Sequence, residues 1–133
     1  MHSQVGIEGY KKTIAEAVSL GGKIEFGGKV VEREGNFVEP TIISGLAHDS
    51  PVVLRETFAP VVYVLKTSSL DEAIGWNNEV EQGLSSSLFT QKLGNVFKVN
   101  IFPKPILEIR APLTLIDQGP SNFEKKVNKD DIL

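Results

Sequence analysis

The chain has 133 residues, the size of one domain, and its 41% hydrophobic and 23% charged residues are ordinary for a globular protein. A net charge of −3 argues against a nucleic-acid partner, which would require a basic surface. The longest apolar run, residues 60–65, is too short to span a bilayer, and no secretory or mitochondrial leader is recognisable. We therefore expect a cytoplasmic protein without a membrane partner, with the mitochondrial matrix as the alternative compartment.

The sequence contains no cysteine, and its two histidines, His2 and His48, lie far apart. A disulfide, a thiolate metal site and a cysteine nucleophile are therefore excluded within these 133 residues, and we expect no bound metal. Both histidines are expected at the surface. Because no nucleophile stands at a suggestive spacing from a base, we assign no catalytic residue.

The first predicted element is an amphipathic helix over residues 4–20, in which apolar side chains recur at helical spacing opposite a polar face. Gly21 and Gly22 follow, and glycine is the residue expected just past a helix C-terminus. Short strands separated by glycine-containing, hairpin-like reversals are predicted next, around residues 24–26, 30–31 and 37–39. Residues 61–65 form an apolar, β-branched run that predicts a fully buried strand.

A second helix is predicted to begin at Ser69, because Glu72 stands three residues further on and the two form a capping box. This helix would direct three side chains toward a core: Ala73, Ile74 and Trp76. Residues 82–84 are expected to end the helix and to open a strand that runs to residue 90. The order helix, strands, helix, strand predicts a layered α/β architecture.

The character of the sequence changes at about residue 98. Four of the seven prolines lie beyond it, and the apolar residues there follow neither the strand nor the helix period. Since proline removes a backbone donor and interrupts helices, we predict no regular element in this region. The predicted organisation is therefore a domain over residues 1–98 and a poorly packed tail over residues 99–133.

Three motifs in order resemble the aldehyde dehydrogenase superfamily. Residues 55–61 resemble its acidic-x-Phe-Gly/Ala-Pro-Val motif. Residues 37–42 are similar to its upstream aromatic-x-x-Pro-Thr strand, and residues 73–87 to its downstream Ala-x-x-x-x-Asn…Gly-Leu-Ser-Ala stretch. Within the three motifs, the individual residues are most similar to family seven of the superfamily, the antiquitin or α-aminoadipic semialdehyde dehydrogenase branch. The resemblance covers residues 2–98 and implies an incomplete piece of that α/β catalytic domain.

The resemblance also implies a cofactor contact. In the family, the glutamate matched by Glu56 binds the hydroxyls of the nicotinamide ribose of NAD, and the aromatic residue matched by Phe58 packs beside the nicotinamide ring. A carboxylate can accept hydrogen bonds from two hydroxyls and so fix the ribose. Taken alone, Glu56 could be a solvated loop carboxylate, and for Phe58 plain core packing is an open alternative.

The superfamily's catalytic cysteine, its water-activating glutamate and its dinucleotide-binding unit find no match in these residues. The primary expectation is therefore a fragment of an NAD-dependent aldehyde dehydrogenase that is inactive alone. The first alternative is a non-enzymatic partner or modulator of a full-length aldehyde dehydrogenase subunit. The second is a pseudogene product without function.

Overall fold

A computed structural model of the chain describes residues 1–80, 86–100 and 113–117. It consists of two units, Met1–Thr67 and Ser68–Leu133. The first unit contains, in chain order, α1 (Gln4–Ser19), β1 (Lys23–Phe26), β2 (Thr41–Ser44), α2 (Pro51–Leu54) and β3 (Val61–Val64). The second contains α3 (Leu70–Asn77), β4 (Ser86–Thr90), α4 (Leu93–Asn100) and β5 (Leu113–Asp117). The predicted α/β class is confirmed.

Helix α1 ends as the sequence predicts. Gly21 has a φ of 92°, a conformation that glycine adopts without steric cost. Its N–H donates to the carbonyl of Val18 at 3.0 Å, and the N–H of Gly22 donates to the carbonyl of Ala17 at 2.9 Å. These two bonds form a Schellman motif, which satisfies carbonyls that the end of the helix would otherwise leave unpaired.

The core of the first unit lies between α1 and the sheet. Its fully buried or nearly buried apolar members come from α1, β2, α2 and the loop between β2 and α2: Tyr10, Ile14, Ala17, Ile43, Leu46 and Val52. Half-buried side chains from β3 and the segment before it pack against this cluster: Ala59, Val61 and Tyr63. Burying this much apolar surface is the main favourable term in holding α1 on the sheet.

Three strands form the sheet in the order β1-β2-β3. Strands β1 and β2 are antiparallel, with a register shift between Ile24 and Phe26, whereas β2 and β3 are parallel. Side chains alternate between the two sides of a strand. We call the side that meets the core the inner face: Thr41, Ile43, Val61 and Tyr63. The opposite side is the outer face: Phe26, Ile42, Ser44, Val62 and Val64.

The prediction that residues 61–65 form a fully buried strand is wrong. In β3 only Val61 and Tyr63 are half-buried, whereas Val62 is 59% exposed and Val64 is 52% exposed. An apolar run shows that both sides of a strand could be covered, but not that they are. The core of this unit lies on one side only.

The reversal predicted around Gly35 is confirmed, since the N–H of Val31 donates to the carbonyl of Phe37 and Gly35 has a φ of 101°. The flanking strands are reduced to a single bridge between Val30 and Val38. The hairpin predicted at Gly27, between the strands expected at residues 24–26 and 30–31, does not form. Strand β1 pairs with β2 instead.

In the second unit, the predicted cap of α3 is confirmed. The Ser69 hydroxyl accepts from the N–H of Glu72 at 3.2 Å. The carboxylate of Glu72 reaches one residue further back than a capping box requires, to the N–H and hydroxyl of Ser68 at 2.6 and 2.8 Å. Of the three side chains predicted to enter a core, Ala73 is buried, whereas Ile74 and Trp76 are half-buried.

Strand β4 confirms the strand predicted up to residue 90, and it pairs in parallel with β5. Neither β5 nor α4 was predicted, and the prediction of no regular element beyond residue 98 is wrong at β5, which becomes a strand by pairing with β4. Helix α3 ends at Asn77, so the helix end predicted at residues 82–84 is wrong. Residues 82–84 themselves and the rest of the predicted tail beyond Asn100 lie outside the described residues, so the boundary at residue 98 stays a prediction. Across the described part of the chain, no helix is long and apolar enough to cross a membrane.

Candidate functional site

The two predicted cofactor-binding residues lie on the connection between α2 and β3, which we call the 55–60 segment. Helix α2 is a single turn that starts with Pro51, and the N–H of Arg55 donates to the Pro51 carbonyl at 3.1 Å. Arg55 is the residue that caps the helix, and its backbone is extended, so the helix stops there. Glu56 is therefore the first residue of the segment that α2 does not restrain.

Two tight three-residue turns shape the rest of the segment. The N–H of Ala59 donates to the carbonyl of Thr57, and the N–H of Val61 donates to the carbonyl of Ala59, both at 2.8 Å. Turns of this type are common where a loop enters a strand. The carbonyl of Pro60 accepts from the N–H of Thr41 at 2.9 Å, which attaches the end of the segment to β2.

Within the segment, inward and outward side chains alternate. Ala59 packs against the core and the Thr57 hydroxyl oxygen is buried. Glu56 is exposed, and Phe58 is 86% exposed. The core packing considered for Phe58 is therefore wrong within this chain. The carboxylate and the aromatic ring stand two residues apart on the outward side of an anchored segment.

Arg55 anchors the start of the segment to α1. Its guanidinium donates to both carboxylate oxygens of Glu16, with Nη2 2.8 Å from Oε2 and Nη1 3.3 Å from Oε1. This bidentate geometry is the strong form of a carboxylate–guanidinium contact. The hydrogen bond to Arg55 lowers the pKa of Glu16, and the same bond raises the pKa of Arg55.

Tyr63 lies on the inner face below the segment. Burial raises the pKa of its hydroxyl, and the nearby Thr57 hydroxyl lowers it by a smaller amount. Neither hydroxyl makes a well-formed hydrogen bond to any described residue. Their proximity is therefore a weak polar contact under the segment, and we assign the anchoring to Arg55 and Ala59 instead.

The sequence analysis did not identify Glu16 and Arg55 as a pair. They are 39 positions apart, and no local pattern connects a carboxylate on a helix with an arginine beyond two strands. Among the described residues, no group of three or more histidine, aspartate or glutamate side chains could hold a metal ion. His2 is exposed and His48 is half-buried, so the expected surface position is confirmed only for His2.

The two residues that the motif resemblance singled out, Glu56 and Phe58, are therefore both exposed, between a helical turn and a parallel strand. The sequence profile of the aldehyde dehydrogenase family matches residues 1–101. The chain belongs to the aldehyde dehydrogenase family.

Similarity to individual proteins specifies the branch. The family 7 member A1 homolog of Caenorhabditis elegans is 68% identical over 98 residues, which cover 74% of this chain and 18% of that relative. The α-aminoadipic semialdehyde dehydrogenase of Mus musculus is 49% identical over 98 residues, with the same coverage of both chains. The predicted resemblance to family seven is confirmed. The chain spans about a fifth of the length of these relatives.

Solved structures agree with this assignment. PnpE in complex with nicotinamide adenine dinucleotide is 31% identical, with a TM-score of 0.70 over 86% of this chain and 23% of that one. Lactaldehyde dehydrogenase from Escherichia coli is 28% identical, with a TM-score of 0.69 over 90% of this chain and 24% of that one. The α/β units described above are therefore part of an aldehyde dehydrogenase fold.

Proposed function

We propose that this chain corresponds to the part of a family-seven, NAD-dependent aldehyde dehydrogenase that holds the nicotinamide end of the cofactor. The observation that carries the proposal is the outward placement of Glu56 and Phe58 on an anchored segment. The structure of PnpE with nicotinamide adenine dinucleotide supports the choice of cofactor. The substrate we propose for the complete enzyme is α-aminoadipic semialdehyde, after the name of the mouse relative.

The chemistry of the two side chains fits this role. The exposed carboxylate of Glu56 can accept hydrogen bonds from two neighbouring ribose hydroxyls, and charge-assisted bonds of this kind fix orientation. The Phe58 ring, 86% exposed, offers a flat apolar surface that can exclude water beside an aromatic ligand. NAD, when bound, supplies the carbon that accepts hydride. Glu56 and Phe58 would orient that carbon, which lowers the entropic cost of reaction.

A chimera of the mouse enzyme, in which this chain supplies the 98-residue matching region, tests the proposal. Glu56→Gln should weaken NAD binding because the ribose loses a charged acceptor. A hydrogen bond to a charged group contributes about 1.5–3 kcal/mol, so the dissociation constant should rise by about ten- to a hundredfold. Glu34→Gln, at the exposed reversal near Gly35, is the matched control. Unchanged NAD affinity and turnover in Glu56→Gln would contradict the proposal.

We further propose that the 133-residue chain is inactive alone. Aldehyde oxidation in this family requires a thiol nucleophile, and these residues include no cysteine. The purified chain should not reduce NAD with α-aminoadipic semialdehyde or with simpler aldehydes, as followed by the absorbance of the reduced cofactor. The mouse enzyme is the positive control. Turnover that survives repurification of the chain would overturn this expectation.

A second candidate function is binding to a full-length aldehyde dehydrogenase subunit. The outer face supports it, because Val62 and Val64 are exposed on the same side of the sheet as Phe26, and an apolar strand face of this kind favours association. The chain and the mouse enzyme should form a complex in sedimentation experiments. Replacing Val62 and Val64 with serine should abolish the complex, whereas Glu34→Gln should not. No complex, together with rapid degradation of the chain in cells, would favour a product without function.

A further inference from the structure

The contact between Glu16 and Arg55 joins the most firmly held helix of the first unit to the start of the 55–60 segment. Glu16 lies near the end of α1, next to Ala17, which is fully buried in the core. Arg55 directly precedes Glu56. The two nitrogen–oxygen distances of 2.8 and 3.3 Å define the orientation of the guanidinium plane as well as its position.

The rest of the segment is restrained mainly at its other end. The bond from Thr41 to Pro60 and the packing of Ala59 both act near β3. On the α2 side, the fully buried Val52 side chain holds the single helical turn in the core, three residues before Arg55. The Glu16 carboxylate adds a contact at Arg55 itself, the residue at which the chain leaves α2 toward Glu56.

We propose that Glu16 and Arg55 are positioning residues for the cofactor contact: their ion pair fixes the direction in which Glu56 meets the nicotinamide ribose. The inference rests on the function proposed above. Both side chains are partly exposed, 26% for Glu16 and 48% for Arg55. Exposed ion pairs add little to global stability, so the effect of this pair is on the local order of the segment.

The first test uses the mouse-enzyme chimera and measures the dissociation constant of NAD by calorimetry. Glu16→Gln should raise that constant by roughly three- to tenfold, because a binding group that is not held in place must be ordered when the cofactor binds, at a cost of about 0.5–1.5 kcal/mol. The KM for the aldehyde should not change, since the proposed role of the pair is limited to the cofactor contact. Arg55→Lys keeps the positive charge but not the bidentate guanidinium. Its dissociation constant for NAD should lie between those of the original chimera and Glu16→Gln.

The matched control is Glu8→Gln, which removes the ion pair between Glu8 and Lys11 on the same helix. It should leave NAD affinity unchanged. The second test measures hydrogen exchange in the 133-residue chain itself. In Glu16→Gln, the amide of Arg55, which donates to the Pro51 carbonyl at the start of the segment, should exchange faster, while the amide of Gly22 at the end of α1 should not.

The outcomes separate the two proposals. If Glu56→Gln leaves NAD binding intact, the proposed function fails, and the positioning role fails with it. If Glu56→Gln weakens binding but Glu16→Gln behaves like Glu8→Gln, only the positioning role is overturned. A drop in melting temperature for Glu16→Gln, with unchanged NAD affinity and unchanged exchange in the segment, would also overturn it, because that result describes a purely structural contact.

Discussion

The inner and outer faces of the β1-β2-β3 sheet are similarly apolar in sequence but differ in burial. On the inner face, Ile43 is fully buried against α1 and the hydroxyl of Thr41 is enclosed in a hydrogen-bond network. On the outer face, Val62 and Val64 are more than half exposed. The first face carries the core of the unit, and the second carries apolar surface that this unit does not use.

This difference in burial bears on whether the sequence of β3 is typical of a strand with one covered face or with two. A strand with one exposed face usually alternates apolar and polar residues, whereas strands covered on both sides are apolar throughout. Residues 61–64, Val-Val-Tyr-Val, alternate in burial but not in polarity. The sequence of β3 therefore has the composition of a strand covered on both sides, although only its inner face is covered within this unit.

The largest expected effect comes from testing the two faces directly. Ile43→Ala should lower the free energy of unfolding by about 2–5 kcal/mol, because it opens a cavity in a closed core. Val62→Ala should change it by no more than about 0.5 kcal/mol, as is usual for an exposed side chain. Urea unfolding measures both, and Ile43→Val, expected to cost about 0.5–1.5 kcal/mol, guards against complete unfolding of the alanine variant. Similar losses at both positions would mean that the outer face is covered.

A smaller effect is expected from the polar part of the inner face. Thr41 Oγ1 accepts from the N–H of Gly28 at 2.9 Å and lies 2.6 Å from the hydroxyl of Tyr10. Thr41→Val keeps the shape but leaves both groups without this partner, which should cost about 1–3 kcal/mol in thermal or urea unfolding. Thr41→Ser keeps the hydroxyl and serves as the control. A valine variant as stable as the original would show that the network adds nothing beyond packing.

The parts of the fold that follow from local signals could be predicted from the sequence. The end of α1 follows from Gly21, and the start of α3 follows from Ser69 and Glu72, because each signal acts within one turn of the chain. Strand β5 could not be predicted, since the prolines around it obscure a short apolar run that becomes a strand only by pairing with β4. Whether a strand face is covered depends on distant residues, and that is why β3 was assigned two buried sides.

The candidate site, like the fold, has a part that could be predicted from the sequence and a part that could not. Glu56 and Phe58 were identified from a motif, and no physical pattern in the sequence alone would have separated them from a solvated carboxylate and a core ring. The exposure of Phe58 depends on the two tight turns of the segment, which carry no strong sequence signal. The pair formed by Glu16 and Arg55 depends on the tertiary arrangement of α1 and α2, and it could be found only in the structure.

The smallest expected effect concerns pH and the charged contacts on the two sides of the sheet. Beneath the inner face, the hydrogen bond from Arg55 lowers the pKa of Glu16, and next to the outer face the Ser44 hydroxyl, followed by Lys23, lowers the pKa of Glu25. A carboxylate whose folded pKa is lowered stabilises the fold above its unfolded pKa, and this contribution is lost as the pH falls through the folded value.

The melting temperatures of the original chain and of Glu16→Gln should therefore differ slightly near neutral pH. The difference should shrink below the ordinary glutamate value of 4.5 and should also shrink at high salt, which screens exposed charges. Glu25→Gln should follow the same pH dependence. A difference for Glu16→Gln that persists undiminished at pH 3 would mean that this side chain acts by packing rather than by charge.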